Sequence, residues 1–260
     1  MCRLFAQHAP SELDRADALC RDENALRFQS HKHPHGWGIA WWSGGRIEVR
    51  RGLLPAHADG AFLAAAEEAR SRVVLAHVRD ASVGPVAEEN THPFVHGRWV
   101  FAHNGTVAQY LRSDRVRADL EAEIDPQFRA ALRGETDSER CFFLVLTRLA
   151  ARTRLDQATL LEVEEAFIEA TRTIQRLADA PSVKPSSLNF LLSDGRLLAA
   201  SRLGRTLHVA DRAGPERVFA VASEPIGRDA WSEVPEGSFV GCDGDYSSPW
   251  TTTPRGKRTS

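Results

Sequence analysis

Lysine is nearly missing from this chain. Only Lys32, Lys184 and Lys257 are present, so the positive charge is carried by arginine, a bias read here as genome composition rather than function. Cysteine is also sparse. Cys2, Cys20, Cys141 and Cys242 are scattered without a C-x-x-C pair, which excludes a structural zinc knuckle and a disulfide scaffold and leaves the thiols expected to be reduced. No apolar run approaches the roughly 18 residues of a membrane span, and no cationic start leads into a shorter apolar stretch. The formal charge of -2 provides no general attraction to nucleic acid or to an anionic membrane. These absences together read as a cytoplasmic protein.

What is present is ordinary globular material. The 260 residues are 42% hydrophobic and 26% charged, enough for a full core in one large domain or two small ones. No internal repeat and no composition break divides the chain. The expectation is one domain over residues 1–245, helices covering strands, with a polar, proline-containing tail over 246–260.

Helical spacing of Leu13, Ala16, Ala18, Leu19 and Leu26 predicts a helix over 11–27, followed by a polar loop from Ser30 to Pro34. The stretches Gly36 to Trp42 and Arg46 to Arg50, split by Ser43-Gly44-Gly45, predict a hairpin whose tryptophans pack a sheet core. An Ala-rich helix is expected over 58–70, then buried strands at Val73 to Val78, ending at Arg79, and at Trp99 to His103, ending at Asn104-Gly105. Residues 106–133 carry Arg and Leu at helical intervals. A capped helix should start at Thr136 or Ser138 and reach Ala151, and a second should span 157–178 before Pro181. Strands are expected at 188–192, 197–200, 206–210, 218–222 and 239–242.

Three histidines, His31, His33 and His35, alternate in the polar loop and invite a metal reading. With no acidic or thiol ligand beside them, no metal is predicted. The better candidate for chemistry is Cys2. If Met1 is removed, Cys2 carries a thiol and a free α-amine on one carbon, and an amine with an unperturbed pKa of roughly 7.7 to 8.0 can take the thiol proton. A nucleophile whose base is its own terminal amine needs no separate histidine. A small buried residue opening a first strand is the plain alternative.

Several motifs accompany Cys2 in order: Arg79 in Ala76-His77-Val78-Arg79, Asn90-Thr91-His92-Pro93-Phe94, His103-Asn104-Gly105, Glu135-Thr136-Asp137-Ser138-Glu139, the run Ser187 to Gly195, and Ala222-Ser223-Glu224-Pro225. Taken together, over residues 1 to about 242, the set resembles the class II glutamine amidotransferases of the N-terminal-nucleophile hydrolase superfamily. Their stand-alone bacterial branch, which includes the γ-glutamyl hydrolase of ergothioneine synthesis, is the nearest likeness. The resemblance implies an α+β fold, a four-layer αββα sandwich, with Cys2 at the end of a central strand and no cofactor.

It also implies roles. Arg79 would meet a substrate α-carboxylate through its planar fork, and Asp137 the α-ammonium. Asn104, through its side-chain amide, and Gly105, through its backbone N–H, would form the oxyanion hole. A surface ion pair for Arg79, a helix cap for Asp137 and a simple turn at Asn104-Gly105 are the structural alternatives. The loop from Asp80 to Pro93, with Gly84 and Pro85 as hinges, is the candidate lid. Two positions depart from the family pattern: His35 stands where relatives carry Asp before Gly-Trp-Gly, and Asp80 stands where larger synthases carry Trp.

The expected activity is hydrolysis of the γ-glutamyl amide of glutamine through a thioester. The alternatives are hydrolysis of a γ-glutamyl conjugate of a small thiol or amine, and a non-catalytic glutamine- or glutamate-binding regulator. The hydrolase fold accounts for nearly the whole chain. Ammonia from glutamine would therefore pass to a separate partner protein, unless a conjugate is itself the substrate.

Overall fold

The computed structural model describes residues 2–212, 217–244 and 250–252. Two antiparallel sheets lie face to face. In chain order the first strands are β1 (Arg3–Leu13), β2 (Trp37–Ser43), β3 (Arg46–Gly52), β4 (Ser71–Val78), β5 (Phe94–His96) and β6 (Trp99–Thr106). They are followed by β7 (Ser187–Ser193), β8 (Leu197–Ser201), β9 (His208–Arg212), β10 (Val218–Ala222), β11 (Ser232–Glu233), β12 (Phe239–Asp243) and β13 (Trp250–Thr252). One sheet has the order β11-β9-β10-β1-β4-β2-β3 and the other β13-β12-β8-β7-β6-β5.

Side-chain alternation sorts the core into three layers. Leu4 and Ala6 of β1 and Leu75 of β4 meet Val100, Ala102, Leu191 and Ala200 of the opposite sheet. The opposite faces of β1 and β4, with Phe5, Val74 and Ala76, pack against Leu19, Leu26 and Phe62. Those residues come from a single π-helical turn (Asp17–Arg21), α1 (Leu26–Gln29) and α2 (Gly60–Glu68). On the far side of the second sheet, Phe101 and Phe190 pack against Phe142 and Phe167. These belong to α5 (Asp137–Ala150) and α6 (Leu160–Ala178), which follow α3 (Asp114–Ala122) and α4 (Pro126–Arg129). The layers are thus helix, sheet, sheet, helix, as the resemblance implies.

The long helices form where their caps say they should. Thr136 Oγ1 accepts from Glu139 N at the start of α5, and Thr159 with Glu162 forms a reciprocal capping box on α6. The β2–β3 hairpin turns through Gly44 and Gly45, at φ 56° and 76°, a left-handed pair that glycine adopts without strain.

The helix expected over 11–27 does not form as such. β1 continues to Leu13, which pairs with Ser71 after a register shift past His8. Pro10, without an N–H to give, sits on the exposed part of that extension. Only two short helical turns follow. Trp250–Thr252, in the stretch read as a tail, pair with β12, whereas 246–249 and 253–260 lie outside the described residues.

Candidate active site

β1 and β4 are neighbours, and the start of one lies beside the end of the other, with Arg3 opposite Val78. This brings Cys2 to the turn that leaves β4. The half-buried Cys2 sulfur lies 3.4 Å from the backbone N–H of Asp80, which donates to it, and 3.7 Å from the Asp80 carbonyl. Burial raises the thiol above its ordinary pKa, while the Asp80 backbone contact and the Arg79 guanidinium pull the other way.

Arg79 is buried, not a surface ion-pair residue. Its Nη1 donates to Pro85 O at 2.9 Å, and its Nη2 to Val83 O at 2.9 Å and Gly84 O at 3.3 Å. The loop after β4 is therefore wrapped around the guanidinium. Of the five donors an arginine carries, those on Nε and the second Nη1 hydrogen remain for another acceptor. Burial lowers the Arg79 pKa, and both Cys2 and Asp137 oppose that shift, so the three residues share one electrostatic environment.

Asp137 is the first residue of α5 and does not cap it; Thr136 does. The buried Asp137 carboxylate faces back toward the end of β6, where Oδ2 accepts from Val107 N at 2.8 Å, and Oδ1 lies 3.4 Å from the donating Ser138 hydroxyl. Burial pushes its carboxyl pKa up, opposed by His103 and by these donors. The positive end of the α5 dipole also favours a negative charge there.

Asn104 and Gly105 lie inside β6, opposite Asn189 and Leu188, and not in a turn. Gly105 can only be glycine. A Cβ there would sit 1.8 Å from Ser187 O and 2.4 Å from His103 Nε2. Leu188 N donates to Leu203 O on its far side. In antiparallel alternation, the amides of the facing Gly105–Leu188 pair then point away from each other. The Gly105 N–H therefore faces the side of β6 that β5 leaves uncovered, because β5 pairs only as far as Phe94 opposite Phe101. Asn104 is buried, and its Nδ2 donates to Ser223 Oγ at 3.2 Å. The same hydroxyl accepts from Leu4 N at 2.9 Å, two residues beyond Cys2.

Two contributors carried no assigned role in the sequence. Ser223 was legible only as part of a motif. Asn90, buried, takes Glu135 N on Oδ1 at 2.8 Å and donates through Nδ2 to Pro85 O at 3.3 Å, tying the loop around Arg79 to the segment that leads into Asp137. The side chains of His35 and Asp80 lie beside each other. His35 Nδ1 lies 3.4 Å from Asp80 Oδ1 and accepts from Ala81 N at 3.1 Å. His31 instead stacks on His57 at 3.8 Å, and His33 is buried. Among the described residues no three His, Cys, Asp or Glu side chains group to hold a metal ion, and no helix is long and apolar enough to cross a membrane.

This architecture is also that of a glutamine aminotransferase class-II domain protein from Silicibacter pomeroyi. The two superpose with a TM-score of 0.68 at 22% identity, over 96% of this chain and 98% of that one. The likeness shows a shared fold. The family model for class II glutamine amidotransferases matches residues 1–218, and the chain belongs to that family. It is 31% identical over 252 residues to the γ-glutamyl-hercynylcysteine sulfoxide hydrolase of Mycobacterium tuberculosis, covering 92% of each chain. It is 29% identical over 252 residues to an uncharacterised protein of Methanocaldococcus jannaschii, of whose length it spans 63%.

Proposed function

We propose that the chain, after removal of Met1, hydrolyses the γ-glutamyl amide bond of glutamine through a thioester on Cys2. The α-amine takes the thiol proton, and the sulfur bonds to the γ-carbonyl carbon. Charge on the oxygen is met by Asn104 Nδ2 and Gly105 N. As the intermediate collapses, the C–N bond breaks and the ammonium form of the amine returns its proton to the departing ammonia. Water, deprotonated by the same amine, then attacks the thioester, and glutamate leaves with the thiol restored. Arg79 and Asp137 hold the α-carboxylate and α-ammonium of the substrate.

The observation that carries this reading is the Ser223 hydroxyl, which ties the strand bearing Cys2 to the amide of Asn104. It is supported by the shared field of Cys2, Arg79 and Asp137. A second reading replaces glutamine by a γ-glutamyl conjugate of a small thiol or amine, and the relative that matches over nine-tenths of both chains favours it, since its name is that of such a hydrolase. Glutamine as substrate would call for an ammonia-accepting partner protein; a conjugate would not. Glutamate release from glutamine and from a panel of γ-glutamyl amines and thiols, compared by kcat/KM, separates the two. Release from none of them would overturn both and leave a binding role.

A further inference from the structure

Ser223 stands just past the end of β10, and its contacts are unusual for a residue in the sheet. The last β1–β10 pair is Phe5 with Ala222. One step further, Ser223 N donates to Leu4 O at 3.0 Å, and Leu4 N donates to the Ser223 hydroxyl at 2.9 Å. A side-chain oxygen therefore replaces the carbonyl that would close this rung. The exchange leaves the hydroxyl oxygen pointing across to the other sheet, where it accepts from Asn104 Nδ2 at 3.2 Å. The inter-sheet layer around it is otherwise built from Leu4, Ala6, Val100, Ala102 and Val221, which offer no alternative acceptor through their side chains. Ser223 is wholly buried, so water does not reach in from the surface to substitute for it.

Two consequences follow from the chemistry of these groups. A hydroxyl oxygen has two lone pairs, and the Leu4 and Asn104 donors use both. A carboxamide is planar, so fixing one Nδ2 hydrogen on Ser223 also fixes the direction of the other. We infer that Ser223 is a positioning residue for the amide hydrolysis: it holds the second Nδ2 hydrogen of Asn104 at a set place relative to β1, and so relative to Cys2. The inference rests on the hydrolytic reading above and deepens it. Ser223 does not touch the reacting atoms; it acts through Asn104. Without the hydroxyl the Asn104 amide is free to rotate about its last torsion, and the oxyanion loses a donor aimed in advance.

The test uses the mature full-length protein and the best substrate of the γ-glutamyl panel. Loss of a whole oxyanion donor costs roughly 100-fold to 1,000-fold, so loosening one should cost about 10-fold or more in kcat for Ser223→Ala, with KM within about two-fold. Alkylation of Cys2 by iodoacetamide builds no oxyanion and should proceed at the wild-type rate. In an Asn104→Ala background, Ser223→Ala should add less than about two-fold, because its route of action is gone. Ser223→Thr, which keeps the hydroxyl, should retain kcat within about three-fold; Ser223→Gly, which also lacks the hydroxyl, serves in place of the alanine variant if that one does not fold. A wild-type kcat in Ser223→Ala, a parallel fall in iodoacetamide reactivity, full additivity with Asn104→Ala, or a threonine variant as slow as the alanine one would each overturn the role. If the wild type releases no glutamate from any compound, the hydrolytic reading itself fails; if it turns over and Ser223→Ala matches it, only the role of Ser223 fails.

Discussion

His35 Nδ1 lies 3.4 Å from Asp80 Oδ1, and the backbone N–H of that same Asp80 lies 3.4 Å from the Cys2 sulfur. His35 helps set the turn next to the thiol by accepting from Ala81 N at 3.1 Å. Both side chains are partly exposed, and because His35 Nδ1 accepts from Ala81 N it has no proton to give Asp80, so the bond that ties His35 to the turn is the one from Ala81 N. His35→Ala and Asp80→Ala should each lower kcat/KM by no more than about five-fold. The double variant should lose about the product of the two single losses, because the bond from Ala81 N depends on His35 and not on the Asp80 carboxylate. A double variant no worse than the poorer single one in steady-state kinetics would show that the two side chains act as a pair.

Asp137 leads to a prediction on binding. Its carboxylate is held by Val107 N and the Ser138 hydroxyl, and asparagine can keep the first of these while losing the charge. A charge-assisted hydrogen bond contributes about 1.5–3 kcal/mol, so Asp137→Asn should raise KM for a γ-glutamyl substrate by about 10-fold to 100-fold. A substrate analogue lacking the α-ammonium should be bound equally by both proteins. Equal KM values for the true substrate would remove Asp137 from the headgroup site.

Buried histidines lead to a prediction on acid stability. Burial lowers the pKa of His8 and of His33 to about 4, each from 6.5, and holds His77 and His92 well below the usual range, with His103 also lowered. Between pH 6.5 and about 4 the unfolded chain binds protons on these rings that the folded chain refuses. Stability therefore rises with pH in this window and is lost as pH falls, with a slope of about 1.4 kcal/mol per pH unit for each histidine fully in that condition. Urea unfolding at a series of pH values should show a midpoint that falls from pH 7 to pH 4.5. A flat midpoint would mean that the rings accept protons in place.

The sequence carried those parts of the fold whose causes are local. The Gly44-Gly45 hairpin turn, the Thr136 cap and the apolar stripe of α6 each depend on neighbours within a few residues, and each stands where the pattern puts it. The helix expected over 11–27 failed because β4 offers an edge that extends β1 to Leu13, a pairing partner some sixty residues away that spacing cannot reveal. Asn104-Gly105 has the composition of a turn, yet β7 holds it in a strand, and the demand for glycine comes from Ser187 O. Arg79 was legible as the residue that follows a buried strand. That its own loop carbonyls occupy part of its fork was not, because those bonds depend on how residues 83–85 fold back.

The most direct test of the central claim is mass spectrometry of the mature protein after reaction with a diazo-ketone analogue of glutamine, followed by peptide mapping. One adduct per chain, on a Cys2 whose α-amine is free, with no adduct in Cys2→Ala and none in a chain forced to keep Met1, is the result this account predicts. An adduct on Cys20, Cys141 or Cys242, or equal labelling of chains that retain Met1, would contradict it.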